Sequence, residues 1–114
     1  MLKYILSLII IFQVSCGVSN QSLRDAAADG NLKSVKRAVE SGTNINDPDP
    51  KNGYTPLHLA VSNDHKDVVK YLIENKAKIN ILNKRKETPL DLSTTDATDK
   101  FLEKHGAKRA AELD

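Results

Sequence analysis

A six-residue signature returns thirty-three positions after its first appearance, and that repetition limits what the chain can fold into. Thr55-Pro56-Leu57-His58-Leu59-Ala60 comes back as Thr88-Pro89-Leu90-Asp91-Leu92-Ser93. Upstream, Leu23-Arg24-Asp25-Ala26-Ala27 aligns with Leu57 to Val61 at an offset of thirty-four, and Asn44-Ile45-Asn46 falls on Lys78-Ile79-Asn80 at the same offset. A period of this length means one supersecondary unit copied along the chain, each copy burying its apolar face on the next.

Each copy reads as two short helices and a turn. Thr55 is a good N-cap, and Pro56 follows at the first helical position, where its missing N–H costs nothing. Thr88-Pro89 repeats the device, and Ser22-x-x-Asp25 offers a capping-box-like start to the first copy. A second helix is expected from about Lys66 to Glu74, with Val68, Val69, Leu72 and Ile73 as its apolar stripe. Lys66, Asp67, Lys70 and Glu74 form its wet face. Leu32, Val35, Ala38 and Val39 copy the stripe one period earlier. Leu72 is expected in the core between adjacent copies.

Gly53-Tyr54-Thr55-Pro56-Leu57-His58-Leu59-Ala60-Val61, followed by His65, Val68-Val69, Leu72-Ile73 and Ala77-Lys78-Ile79-Asn80, resembles an ankyrin repeat. The resemblance extends over 22–109 and implies an all-α solenoid of stacked helix-turn-helix units joined by short hairpin-like turns. Three units are expected, at about 22–54, 55–87 and 88–109, with a short tail over 110–114. The outer two depart from the pattern. Gln21-Ser22-Leu23-Arg24 replaces the Thr-Pro-Leu-His signature in the first, and Asp91 replaces the His in the third, where Phe101-Leu102-Glu103-Lys104-His105-Gly106-Ala107 arrives about three residues early. In the turn before the third unit Lys86 takes the place of glycine. A positive φ there would cost about 1–2 kcal/mol, so that finger is expected to splay.

The resemblance also implies that partner proteins bind on the concave side, through turn tips and first helices. Carried onto this chain, those positions are Lys51, Asn52, Tyr54, Ser62 and Asn63, then Lys84, Arg85, Glu87, Thr95 and Asp96 of the third unit, with Asp29 from the first. Tyr54 is the one large amphipathic anchor among them, a residue type enriched at binding hot spots.

Composition narrows the alternatives. Seventeen Lys/Arg against fifteen Asp/Glu give a net charge of +2, with the signs interspersed, and there is no Trp. A broad basic face for nucleic acid is therefore not expected. The single cysteine excludes an internal disulfide framework and a cysteine-based zinc site. Neither a phosphate-binding glycine loop, nor a Gly-x-Ser-x-Gly elbow, nor a His-Glu-x-x-His motif occurs. His58 and His65, with nearby carboxylates, are the one constellation on which an enzyme or metal protein could be built. In the ankyrin pattern both serve structure instead. The Asp47-Pro48-Asp49 stretch is rejected as a calcium loop because Lys51 stands where a third oxygen ligand is needed. No catalytic residue, metal or cofactor is expected, and the stack is expected to be monomeric. A purely structural envelope protein is the other alternative to a binding module.

The first residues are of different material. Met1-Leu2-Lys3-Tyr4 carries one positive charge, Ile5 to Phe12 is apolar apart from Ser7, and small residues follow. This is the layout of a secretory signal over 1–15. The apolar run is too short to cross a hydrocarbon core of about 30 Å. Val14-Ser15-Cys16 resembles the lipobox of bacterial lipoprotein precursors, although Gln13 stands where a Leu is expected. The resemblance implies lipidation of Cys16. The short polar stretch over 16–21 reads as a tether, and the protein is expected to be exported, as a membrane-anchored lipoprotein or in periplasmic or secreted form.

Overall fold

The computed structural model describes residues 22–113, and the expected signal over 1–15 and tether over 16–21, Cys16 included, lie outside them. Five α-helices follow in order: α1 Leu23–Asp29, α2 Leu32–Glu40, α3 Pro56–Ser62, α4 Lys66–Glu74 and α5 Asp96–Lys104. One-turn 3₁₀ helices occupy Leu90–Leu92 and Ala110–Glu112. None of the α-helices exceeds nine residues. Helices this short are marginal alone in water, so stacking must hold them.

The caps are written in the sequence. Ser22 accepts from the Asp25 N–H at 3.1 Å, and Asn31 accepts from the Ser34 N–H at 3.1 Å. Thr55 caps α3 with Pro56 at its first position. Each such cap is worth about 1 kcal/mol. Gly30 closes α1 in the left-handed conformation at φ +75°, which a residue with a Cβ rarely adopts.

The inner row runs α1 against α3 and α3 against the Leu90–Leu92 turn, while α2 packs on α4 outside them. One apolar core threads the units. Leu23, Ala26 and Ala27 lead through Val35 to Leu57, Ala60 and Val61, then Val68, Val69 and Leu72, and end at Leu90 and Leu102. Leu72 is fully buried, where the stripe puts it. The small residues Ala26, Ala27 and Ala60, with no exposed surface, let the inner helices approach closely.

Polar ties repeat with the core. The Asn46 side chain accepts from the Lys78 N–H at 2.8 Å, and Asn80 accepts from the Lys108 N–H at 2.7 Å. At the other end of the helices, His65 Nε2 donates to the Ala28 carbonyl at 2.9 Å, while Asp64 accepts from the hydroxyls of Thr95 and Thr98. Each unit is thus stitched to its neighbour on both sides of the stack.

The structure departs from expectation in two places. The stretch after Thr88-Pro89 does not form an inner α-helix. It makes a single 3₁₀ turn, because Thr95 caps α5 by accepting from the Thr98 N–H at 3.3 Å, which commits the following residues to the outer helix. The finger carrying Lys86 is also not splayed. Lys86 does take a positive φ of 62°, but the Asn83 side chain accepts from the N–H groups of both Arg85 and Glu87 at 2.9 Å and knits the tip closed.

Candidate functional site

Two fingers form one edge of the stack. The first is closed by the Asp49 N–H donating to the Tyr54 carbonyl, at 2.9 Å, with Gly53 at φ +76°. Asp49 accepts the Lys51 N–H at 2.7 Å, and this bond leads the forces that hold its carboxyl below the usual carboxylate range. The acid is committed to shaping the tip and is not a loose ligand.

The fingers are joined edge to edge. The Lys84 N–H donates to the Asn52 carbonyl at 2.9 Å, and Lys84 Nζ reaches the Pro50 carbonyl. A Cβ on Gly53 would come within 2.8 Å of the Lys84 nitrogen, so glycine at 53 permits the junction. Lys51, Asn52, Lys84 and Arg85 are exposed along this edge, and Tyr54 and Glu87 are half-buried behind it. The Tyr54 ring lies 5.6 Å from the His58 ring, tilted by 41°. Of the residues named from sequence, these six are brought together.

The other five are not part of the finger edge. Asp29 ends α1 and is exposed. Ser62 and Asn63 end α3, where both side chains donate to the Leu59 carbonyl. These three sit at the far ends of the inner helices from the finger tips. Thr95 and Asp96, expected on an inner helix of the third unit, are instead the cap and first residue of the outer helix α5. Thr95 is also tied to Asp64 at 3.2 Å. Their displacement follows from the lost inner helix.

His58 and His65 each bond a backbone carbonyl of a neighbouring unit. His58 is fully buried, with Nε2 donating to the Glu87 carbonyl at 2.9 Å. Since a carbonyl only accepts, Nδ1 is the unprotonated nitrogen, and it receives the Thr55 N–H at 3.2 Å. Burial holds the imidazole below its ordinary pKa, against the raising pull of the Glu87 carbonyl. Asp91 fills the matching place after Thr88-Pro89 and accepts the N–H groups of Thr88, at 2.9 Å, and Ala110, at 3.0 Å. Burial tends to raise its pKa, but these N–H bonds outweigh it and leave the carboxyl lowered. Among the described residues no three His, Cys, Asp or Glu side chains cluster as a metal site, and no helix is long and apolar enough to cross a membrane.

Sequence reading missed a groove on the opposite, outer face, between α4 and α5, lined by Lys66, Val69, Lys70, Ala97, Thr98 and Phe101. Its signal was the spacing of the two buried leucines, Leu72 and Leu102, thirty residues apart where the preceding period is thirty-four.

Short capped helix pairs, a single threaded core and fingers tied along one edge define a helical repeat solenoid. Residues 23–73 match the family described as ankyrin repeats (many copies), in keeping with the all-helical solenoid. It is 39% identical over 74 residues to ankyrin repeat domain-containing protein 40 of Mus musculus, covering 65% of this chain and 20% of that protein. Protein phosphatase 1 regulatory subunit 27 of Mus musculus is 37% identical over 78 residues, 68% of this chain and 50% of that one. Alpha-latrocrustotoxin-Lt1a of Latrodectus tredecimguttatus is 43% identical over 68 residues, 60% of this chain and 5% of the toxin. The chain spans half or less of the length of each of these relatives.

Proposed function

We propose that this protein is a non-enzymatic binding module that holds a partner protein against its finger edge and the adjoining inner helices. The observation that carries the reading is the bond from the Lys84 N–H to the Asn52 carbonyl, 2.9 Å long. It fixes two tips, with Lys51, Asn52, Lys84 and Arg85 exposed, as one continuous surface before any partner arrives. Preorganisation of this kind reduces the ordering cost of association. The regulatory-subunit name of one relative points the same way, toward a protein partner. No cofactor takes part.

Display in the cell envelope belongs to the same proposal and is supported by the sequence alone, through the signal layout of residues 1–15 and the lipobox resemblance at Cys16. Intact-mass spectrometry of protein from its native host tests this part. A full-length mass would reject export, and a mature mass without acyl chains would reject the lipid anchor alone.

Binding is tested by crosslinking in native-host extract, followed by titration calorimetry of the purified partner. Tyr54→Ala should weaken the complex by about 1–3 kcal/mol with circular dichroism unchanged. Lys70→Ala, on the outer helix α4 away from the fingers, should be nearly silent for a partner held at the finger edge. Equal affinities for wild type and Tyr54→Ala would remove Tyr54 from the interface.

A further inference from the structure

The outer face contains two joints built from the same residue types, and only one of them is filled. Between α2 and α4, Lys36 Nζ lies 5.7 Å from the centre of the Tyr71 ring. The equivalent pair one unit later is Lys70 and Phe101, since Lys36 and Lys70 align, as do Tyr71 and Phe101 beside the buried Leu72 and Leu102. Lys70 and Phe101 line an open groove of about 250 Å³. The cause is the shortened third unit, whose single 3₁₀ turn replaces an inner helix and leaves α5 off α4, whereas α2 packs directly on α4.

The groove walls are Val69, Ala97 and Phe101, and Thr98 donates its hydroxyl to Asp64 instead of facing the groove as a donor. Lys66 and Lys70 are the charged residues of the lining, and no carboxylate is among the lining residues. Lys66 is loosely paired, 3.7 Å from Asp64, a half-buried carboxylate that also accepts from Thr98, and the lysine side chain is mostly exposed. Among the described residues Lys70 forms no ion pair. An apolar trough under one sign of charge fits an occupant with apolar side chains flanked by the opposite sign.

We infer that the α4–α5 groove is a second docking surface, separate from the finger edge, and that its occupant is an acidic amphipathic segment of a partner protein. Apolar side chains of that segment would rest between Val69, Ala97 and Phe101, and its carboxylates would meet Lys66 and Lys70. The contact needs no bound partner at the fingers and does not depend on export.

The test uses the purified chain and a fluorescent synthetic peptide, acetyl-Glu-Leu-Phe-Glu-Leu-Glu-amide, with a second peptide in which each Glu is Lys. Fluorescence anisotropy should show binding of the acidic peptide and not the basic one. Lys70→Glu should weaken it about tenfold, as expected when an attractive contact becomes a like-charge one. Ala97→Trp, which places an indole in the trough, should abolish binding, and Tyr54→Ala should leave it unchanged. Should Ala97→Trp lose its native circular dichroism, Lys70→Glu at an exposed position still decides. Equal binding of the two peptides, no binding at about 1 mM, a weak affinity by any measure, or an unchanged affinity in Lys70→Glu would each overturn the proposal.

Discussion

His58 Nε2 donates to the main-chain carbonyl of Glu87, 2.9 Å away and twenty-nine residues later, while Nδ1 accepts from Thr55 three residues earlier. One imidazole therefore fastens the start of α3 to the finger of the next unit. Both nitrogens are used and the ring has no exposed surface. His58→Ala would leave the Glu87 carbonyl without this donor and open a cavity beside Tyr54. Burying an unsatisfied group costs about 1–3 kcal/mol, and truncating a large buried side chain adds to it. We expect a loss of about 3 kcal/mol in urea unfolding, with His58→Gln losing less because its amide can still donate.

The same geometry sets a pH dependence. Burial holds the His58 pKa below its ordinary 6.5, so the folded ring stays neutral where the unfolded ring begins to take up a proton. Its contribution to stability is complete above about 6.5 and is lost as pH falls from there through the folded value. A second window opens below the ordinary carboxylate value of 3.8. The Thr98 hydroxyl, ahead of its other partners, lowers Asp64, and the backbone N–H bonds lower Asp91 against burial. Thermal melts at about pH 7.5 and 5.5 should show wild type losing stability over this interval, and His58→Gln should lose less. An NMR titration placing His58 at or above 6.5 would contradict this account.

Gly30 is required by a neighbour as well as by its own backbone. A Cβ there would lie 2.5 Å from His65 Nδ1 and 2.7 Å from Cε1, at a φ of +75°. Gly42 has a similar positive φ, +96°, but a Cβ would meet nothing within 4 Å. Both Gly→Ala changes incur the left-handed penalty of about 1–2 kcal/mol. Gly30→Ala must also displace His65 and its bond to Ala28, so chemical denaturation should show it the more destabilised by about 1 kcal/mol. In Gly30→Ala with His65→Ala the two losses should sum to less than their separate values, since the clash is gone.

The register of the stack was open to sequence reading because it rests on local pattern. The Val68, Val69, Leu72 stripe, the Thr55-Pro56 start and the Ser22 cap each follow from side-chain chemistry within a few residues. The third unit was less legible, since Ser93-Thr94-Thr95-Asp96 can continue an inner helix or cap an outer one. The hydroxyls of Thr95 and Thr98 decide it by bonding Asp64, about thirty residues upstream. The finger residues could be named from the family resemblance, but their union depended on a backbone bond from Lys84 to Asn52 that no side-chain pattern announces. The outer groove left only a trace, the shortened spacing between Leu72 and Leu102.

Lys86 gives a test in the stabilising direction. It stands where the preceding finger has Gly53, at a φ of 62°, and its side chain is exposed. The strain is held by Asn83, whose carbonyl accepts the Lys86 N–H at 3.0 Å and whose side chain takes the N–H groups on either side. Lys86→Gly should remove the left-handed penalty of about 1–2 kcal/mol. Against it stands the greater chain entropy of glycine when unfolded, about 0.5–1 kcal/mol. The net gain expected is about 0.5–1 kcal/mol, read as a rise in the urea midpoint with unchanged slope. Asn83→Ala should do the opposite, because it removes the acceptor for the Arg85 and Glu87 N–H groups while Lys86 stays strained. If Lys86→Gly were instead destabilising, the lysine side chain would have to supply a contact larger than the strain it imposes. Hydrogen exchange at the Lys84 N–H would then distinguish a loosened tip from a loosened joint between the fingers.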